Sequence, residues 1–99
     1  MSDQGVRVVA RVVARPGKIE ELRVVLQGLV EPTRREPGCV TYELLQNRAD
    51  PTDFTFVEEW RSEAELDAHL QSSHVRNARL KFPELAAADP DIRRYSVVK

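Results

Sequence analysis

Four segments of this chain are predicted to be β-strands, and the first shows the clearest pattern of alternating apolar residues. It covers residues 6–15, where alternation places one face of a strand against a core. The others cover residues 40–46, 54–60 and 92–98. One face of the first segment is apolar throughout and carries Val6, Val8, Ala10, Val12 and Ala14. Its other face mixes arginines with valines, so that face is neither cleanly solvated nor cleanly buried.

Between the first two strands, apolar residues recur with the 3.6-residue period of a helix. Pro16-Gly17 breaks the strand. One apolar stripe then comprises Ile19, Leu22, Val25, Leu26, Leu29 and Val30. Because proline cannot continue an unbroken helix, Pro32 predicts a separate short turn over residues 31–36. Pro37-Gly38 then reverses the chain into the next strand.

A second helix is predicted after the third strand, and its start is well defined. Ser62 and Glu65 have the S-x-x-E spacing of a capping box, in which these side chains satisfy free backbone N–H groups. The helix is expected to end near Gln71. A further helical piece restarts at Ser72 and reaches Lys81, ahead of the Phe-Pro pair that should end it.

The resulting order, β-α-β-β-α-β, is typical of an α+β, ferredoxin-like domain with one four-stranded antiparallel sheet. Residues 1–99 form a single domain, with an ordered core over about residues 6–98. Helices cover one face of such a sheet and leave the other face free. That free face would carry valines and leucines, which is too apolar for water. We therefore expect a homodimer in which two sheets pack face to face.

Composition and charge narrow the class of protein. Hydrophobic residues make up 41% of the chain and charged residues 31%, with a net charge of −1. The arginines are scattered, so we expect no nucleic-acid partner. No apolar stretch is long enough to span a membrane, and residues 1–4 lack the features of a signal peptide. The lone Cys39 cannot form an internal disulfide. A cytoplasmic protein with no membrane partner is expected.

The only tryptophan and both histidines lie within residues 60–74, where a strand gives way to a helix. His69 sits at the margin of a helical apolar stripe. A neutral imidazole there is suited to act as a general base near pH 7, although a core histidine satisfied by a hydrogen bond is the structural alternative. His74 could steady the following turn or share the mouth of a pocket with His69.

Residues of the strands leave similar alternatives open. Glu58 shares its face with aromatic residues, where a carboxylate is costly. It is either paired with an arginine of a neighbouring strand or has a raised pKa and an acid–base role. Trp60 anchors the strand to the second helix, forms an aromatic wall of a pocket, or does both. Tyr42 is either a core residue or a hydrogen-bond donor to a bound phenol.

We predict no metal site. The two histidines are five positions apart, whereas helical ligands on one face are four apart. No nearby cysteine or convergent carboxylate is evident in the sequence to complete a set of ligands.

Several short motifs have a spacing typical of one family. They are Arg15-Pro16-Gly17-Lys18, Glu36-Pro37-Gly38-Cys39 with the strand after it, Asp50-Pro51, Glu58-Glu59-Trp60-Arg61-Ser62, and Leu66-Asp67-Ala68-His69-Leu70 with His74. Together they extend over residues 6–98 and resemble the antibiotic biosynthesis monooxygenase family of dimeric α/β barrels. The nearest branch is the small quinol-oxidising monooxygenases.

This resemblance implies a ferredoxin-like subunit, a dimer, and oxygenation of a quinol or hydroxylated polycyclic aromatic with dioxygen, without a metal or flavin cofactor. Two other functions stay open: a non-catalytic small-molecule-binding or stress-response dimer, and an isomerase or lyase of a small carbonyl compound. Haem degradation is not expected, because the haem-ligating histidine of that branch aligns with Arg79 and its pocket tryptophan with His69.

The expected site follows from these residues. We expect His69, His74 and Glu58 to be its catalytic groups. The walls that bind a small aromatic substrate are expected from Trp60, Tyr42, Phe54, Phe56 and Leu66. In the expected reaction, His69 removes a phenolic proton, and the resulting anion reduces dioxygen by one electron in a cavity closed to water.

Overall fold

A computed structural model describes residues 5–99 and confirms the α+β, ferredoxin-like fold. Its elements are β1 (Val6–Val13), α1 (Ile19–Gln27), α2 (Val30–Arg34), β2 (Cys39–Gln46), β3 (Asp53–Trp60), α3 (Glu63–Leu70), α4 (Ser73–Leu85) and β4 (Asp91–Tyr95). Residues 1–4, on which part of the signal-peptide expectation rests, lie outside the described range. Within that range, no helix is both long enough and apolar enough to cross a bilayer.

The four strands form one antiparallel sheet in the order β2-β3-β1-β4. β1 pairs with β3 on one side, where Val8 lies opposite Glu58 and Ala10 opposite Phe56. It pairs with β4 on the other side. The predicted inward face of β1 is confirmed, because buried residues alternate with more exposed ones along the whole strand. The two central strands therefore supply the floor on which the helices pack.

The helices bury their apolar side chains against this inward face. Leu22 and Leu26 of α1 are fully buried, as is Leu66 of α3, and they share one core with Val75 of α4. Each such side chain contributes about 1.5–3 kcal/mol when it leaves water. The start of α3 is as predicted, since the Ser62 hydroxyl accepts a hydrogen bond of 3.2 Å from the backbone N–H of residue 65.

The outward face of the sheet carries exposed apolar side chains among charged ones. Val40, Leu45 and Val57 on this face are 50%, 47% and 38% exposed. Val57 lies directly opposite Val9 of β1, so the apolar surface continues from one strand to the next.

The last helix runs further than the sequence predicts. α4 includes Pro83 and ends at Leu85, although the Phe-Pro pair is expected to end it. Proline removes only one N–H from this last turn, and the Ala86 amide still bonds to the Phe82 carbonyl at 2.7 Å. The Pro83 carbonyl is also held, since it accepts a hydrogen bond of 2.8 Å from the Arg15 guanidinium.

Two strands are shorter than predicted. β1 loses its last two residues, and Ala14 forms only an isolated bridge with Ala86. β4 ends at Tyr95 rather than at residue 98. Its register places Arg7 opposite Tyr95, so residue 97 would face the chain before β1 begins. β4 therefore ends one residue short of the position opposite Val6, where β1 begins.

Candidate active site

The inward face of β3 carries a buried carboxyl beside an indole. Glu58 is only 4% exposed, and the Trp60 Nε1–H donates a hydrogen bond of 2.8 Å to Glu58 Oε1. The alternative that pairs Glu58 with an arginine of a neighbouring strand is wrong. Its partners on the neighbouring strands are Val8 and Tyr42, and the register turns the β1 arginines toward the other face.

This environment changes the protonation of Glu58. Burial, with a smaller contribution from the charge of Glu36, raises the pKa of Glu58 to about 7 against the opposing hydrogen bond from Trp60. The carboxyl is therefore partly protonated at neutral pH, which suits a group that takes up and returns protons. The geometry thus favours the alternative in which Glu58 has a raised pKa.

A second carboxylate, which the sequence analysis missed, joins the two histidines. Glu36 Oε2 lies 2.7 Å from Nδ1 of His69 and 2.8 Å from Nε2 of His74. Glu36 lies in the turn between α2 and β2, 33 and 38 positions before these histidines, so no local spacing connects them. The Pro-Gly pair after Glu36 is the only local signal, since it indicates a turn. What that turn lies against depends on the fold.

Gly38 lets this turn lie against α3. Its φ is +85°, a conformation that glycine adopts without steric cost. A Cβ at this position would clash with the side chain of Glu65 in the first turn of α3. The Gly38 carbonyl also accepts a hydrogen bond of 2.9 Å from the Arg61 amide. The turn that carries Glu36 is therefore fixed to the end of β3 and the start of α3.

The His69 ring lies among aromatic side chains. Its centroid is 4.7 Å from that of Trp60 and 5.6 Å from that of Tyr42, and the residue is 3% exposed. Burial lowers the pKa of His69, although its contacts with Glu36 oppose this. The imidazole is therefore neutral at pH 7. The Ser72 hydroxyl donates a hydrogen bond of 2.6 Å to the His69 carbonyl and holds the end of α3.

Tyr42 faces the same space from β2. Its ring stacks on Phe56 with centroids 4.8 Å apart. Burial raises the pKa of Tyr42 well above its usual value, and the charge of Glu58 adds to this. The phenol therefore keeps its proton at any pH near neutral, and it can donate a hydrogen bond but cannot act as a base.

His74 occupies the outer side of the cluster. Its Nε2 lies 3.2 Å from the hydroxyl oxygen of Thr33, a fully buried residue of α2. The side chain of His74 is 23% exposed, against 4% for that of His69. His74 thus links Glu36 to the surface and does not line the apolar cavity described below.

The prediction that no carboxylate converges on the two histidines is wrong, because Glu36 does so. The donor atoms of Glu36, His69 and His74 lie within 4.8 Å of one another. Two of their separations, 2.7 and 2.8 Å, are hydrogen-bond lengths. Tetrahedral ligands at about 2.1 Å from zinc would be roughly 3.4 Å apart. These residues could hold a metal only after moving apart, and in this arrangement they hold one another.

A small apolar cavity lies between the sheet and the helices α3 and α4. Its volume is about 50 Å³, roughly one third of that of a cavity of about 150 Å³ that binds benzene. Five of the predicted site residues line it, namely Tyr42, Phe56, Glu58, Leu66 and His69. The cavity adjoins an outer cleft of about 450 Å³, with which it shares Arg79, Phe82, Pro90 and Ile92.

Two of the predicted wall residues lie elsewhere. Phe54 is buried in the core, and the Arg23 guanidinium lies 5.5 Å from the centroid of its ring. Trp60 is also fully buried and stands behind Glu58 and His69, which it contacts, rather than on the cavity wall. Trp60 therefore acts on the cavity through its two polar neighbours.

Comparison with known proteins places this arrangement in a family. The sequence profile described as "Antibiotic biosynthesis monooxygenase" matches residues 5–80. The Rv0793 protein of Mycobacterium tuberculosis, provisionally named a monooxygenase, is 39% identical over 80 residues, which are 81% of this chain and 78% of that protein. The sll1783 protein of Synechocystis is 32% identical over 98 residues, 99% of this chain and 67% of that protein.

Solved structures agree with the fold over its whole length. The crystal structure of PA3566 from Pseudomonas aeruginosa superposes with a TM-score of 0.93 and 29% identity, and covers 100% of this chain and 99% of that one. The structure of Rv0793 gives a TM-score of 0.91 at 30% identity, with 97% of each chain covered.

Proposed function

Because this chain belongs to the antibiotic biosynthesis monooxygenase family, we propose that it oxygenates a small hydroxylated aromatic compound, such as a quinol, with dioxygen. One observation supports this most directly. Two titratable groups, Glu58 and His69, line the same small apolar cavity. Burial raises the pKa of Glu58 to about 7 and lowers the pKa of His69. Such a pair can move protons in a space that excludes water.

The first step is removal of a phenolic proton by His69. The imidazole is neutral near pH 7 and can accept that proton, and Tyr42, which stays protonated, can donate a hydrogen bond to the developing phenolate. The phenolate is a far better electron donor than the phenol. It transfers one electron to dioxygen, and the resulting radical pair combines to form a carbon–oxygen bond.

The remaining steps need no added reductant. The carbon-bound peroxide anion takes a proton from the His69 imidazolium and becomes a hydroperoxide. Neutral His69 then removes the proton of the peroxide-bearing carbon while the O–O bond breaks. The leaving hydroxide takes a proton from Glu58, which the His69 imidazolium then restores. For a quinol, one oxygen atom enters the ring, the other leaves as water, and the product is a hydroxyquinone. The substrate supplies all the electrons, so this scheme uses neither a metal nor a flavin.

The substrate ring has to enter from the outer cleft. The inner cavity is about 50 Å³, whereas a cavity of about 150 Å³ is of the size that holds benzene. Phe82 and Ile92, which line both spaces, are the side chains that must part. The inner cavity as it stands is of a size for dioxygen.

The outward face of the sheet supports a homodimer. Val40, Leu45 and Val57 are exposed apolar residues of strands β2 and β3, and a second copy of this face is the simplest cover for them. The Arg7 and Glu59 side chains, 3.5 Å apart on the same face, would fix the orientation of the two copies. The cytoplasm is the expected compartment of this dimer.

Dioxygen uptake by the purified protein tests this function. We expect uptake above autoxidation with at least one member of a panel of hydroquinones and anthrones. His69→Gln should lower it by about 100-fold, since a general base contributes 10²–10⁴-fold. Leu80→Ala is the matched control, because Leu80 is 80% exposed on the outside of α4, and it should leave uptake unchanged.

The same panel separates the other functions. Turnover that continues under nitrogen would identify an isomerase or lyase and would contradict the oxygenase. A compound that raises the melting temperature without being consumed would identify a binding module. Uptake in His69→Gln within twofold of the wild-type rate would remove His69 from the role of base.

A further inference from the structure

The contacts of Glu36 give it a role that its position in the sequence does not suggest. It is the only carboxylate among residues 5–99 that contacts both histidines, and its side chain is 15% exposed. Within the same part of the chain, His69 makes its side-chain hydrogen bond through Nδ1 alone. His69 also lines the inner cavity, and its second ring nitrogen, Nε2, hydrogen-bonds to no described side chain.

We propose that Glu36 is the positioning residue of His69: it holds the proton on Nδ1 and so leaves Nε2 as the unprotonated nitrogen that faces the substrate. An ionised carboxylate only accepts hydrogen bonds, so the nitrogen that contacts it must carry the hydrogen. Free neutral histidine in water prefers the other tautomer, with its proton on Nε2. Without Glu36, most His69 rings would therefore present an N–H to the substrate and could not act as a base.

His74 strengthens this arrangement. It donates to the same Glu36 oxygen at 2.8 Å, so two donors from different parts of the chain fix the position of that atom. Pro37 and Gly38 fix the backbone on the other side, since Gly38 is held by Arg61. A carboxylate held in this way orients the imidazole as well as choosing its tautomer.

Several other charged and titratable groups lie near His69, but only Glu36 hydrogen-bonds to its Nδ1 among residues 5–99. Burial and the charges of His74 and Arg79, both on α4, favour the neutral ring, while Glu36 favours the charged ring. Glu58 on β3 and Tyr42 on β2 line the cavity with His69. None of these groups hydrogen-bonds to Nδ1 among residues 5–99, so a change at Glu36 should be read directly in the tautomer.

Nitrogen-15 NMR of the histidine rings measures the tautomer without any substrate. At pH 7.5 the wild type should show His69 with a protonated Nδ1 and an unprotonated Nε2. Glu36→Ala should move most of the His69 population to the Nε2–H form. Glu36→Gln should keep the wild-type tautomer, because the amide oxygen can still accept from Nδ1. Glu31→Ala, at an exposed neighbouring position on α2, is the control and should change nothing.

Three results would overturn the proposal. The first is an Nε2–H tautomer of His69 in the wild type. Another shows a wild-type tautomer in Glu36→Ala. In the third, a stoichiometric metal accompanies the purified protein and His69 Nδ1 is unprotonated until a chelator removes that metal, which would make Glu36, His69 and His74 a metal site.

Steady-state kinetics add a second readout, which rests on the proposed function. Glu36→Ala should lower kcat at least tenfold with KM changed by less than about twofold, Glu36→Gln should recover most of kcat, and Glu31→Ala should match the wild type. Equal loss in the Ala and Gln variants would contradict the positioning role. If the tautomer depends on Glu36 as expected and no compound is oxygenated, the proposed function fails while the inference stands.

Discussion

Replacing Glu58 with glutamine tests whether ionisation of this buried carboxyl lowers the stability of the folded chain. The amide has nearly the same shape as the carboxyl, and its oxygen can keep the 2.8 Å hydrogen bond from the Trp60 indole. It cannot ionise. Any difference between the variant and the wild type that changes with pH therefore reports the cost of charging Glu58 in the core.

The size of this difference follows from the pKa of the carboxyl. The pKa of Glu58 is about 7 in the folded chain, mainly because of burial, against 4.5 for an unperturbed glutamate. At about 1.4 kcal/mol per pKa unit, a difference of about 2.5 corresponds to roughly 3 kcal/mol. Glu58 is almost fully buried, so solvent screening reduces this little. We therefore expect the two proteins to differ by roughly 2–3 kcal/mol in the free energy of unfolding.

The direction follows from proton linkage. The folded chain binds the Glu58 proton more tightly than the unfolded chain does. Its contribution to stability is therefore fully present below about pH 4.5 and is lost as the pH rises through about 7. Glu58→Gln should match the wild type near pH 4.5 and should be more stable than the wild type by roughly 2–3 kcal/mol at pH 8.5.

Urea denaturation, with tryptophan fluorescence as the readout, measures this difference in unfolding free energy. Both proteins are unfolded at several pH values between 4.5 and 8.5, at one protein concentration, because association would make stability depend on concentration. All other titrating groups are common to the two proteins, so they cancel in the difference. Two parallel profiles of unfolding free energy against pH would contradict the raised pKa of Glu58, as would a variant that is less stable at pH 8.5.

Three further changes test the fold around the site. Ser62→Ala removes the hydroxyl that accepts from the amide of residue 65 and should cost about 1 kcal/mol in urea denaturation; an unchanged midpoint would contradict the capping role. Gly38→Ala combines a φ of +85° with a clash against Glu65 and should cost more than about 1 kcal/mol; a stabilised variant would contradict this. Val57→Glu places a charge on the apolar outward face and should yield a monomer in light scattering, whereas an unchanged dimer, or a wild type that is already monomeric, would contradict the proposed interface.

Most of the fold could be predicted because each element carries its own local signal. Alternation along β1 gives its inward face, and the S-x-x-E spacing at Ser62 gives the start of α3. The ends of elements depend on their partners. β4 stops at Tyr95, opposite Arg7 near the beginning of β1, and α4 passes Pro83 because the lost hydrogen bond falls in its final turn.

The candidate site was only partly predictable, because its polar contacts join distant positions. Alternation places Glu58 and Trp60 on one face of β3, and the structure has them hydrogen-bonded. Nothing in the spacing of His69 and His74 indicates that Glu36 lies between them, since the turn that carries it is brought there by the packing of α2 and β2. Phe54 shares the face of Glu58 but lies four residues further from α3, and it packs in the core.

The most direct test of the central claim is the fate of isotopic dioxygen. The purified protein is supplied with ¹⁸O₂ and the best substrate of the panel, and the product is examined by mass spectrometry after correction for exchange with water. We expect one ¹⁸O atom in each product molecule and the other in water, with the labelled product lost in His69→Gln. An unlabelled product, or product formed equally well under nitrogen, would contradict it.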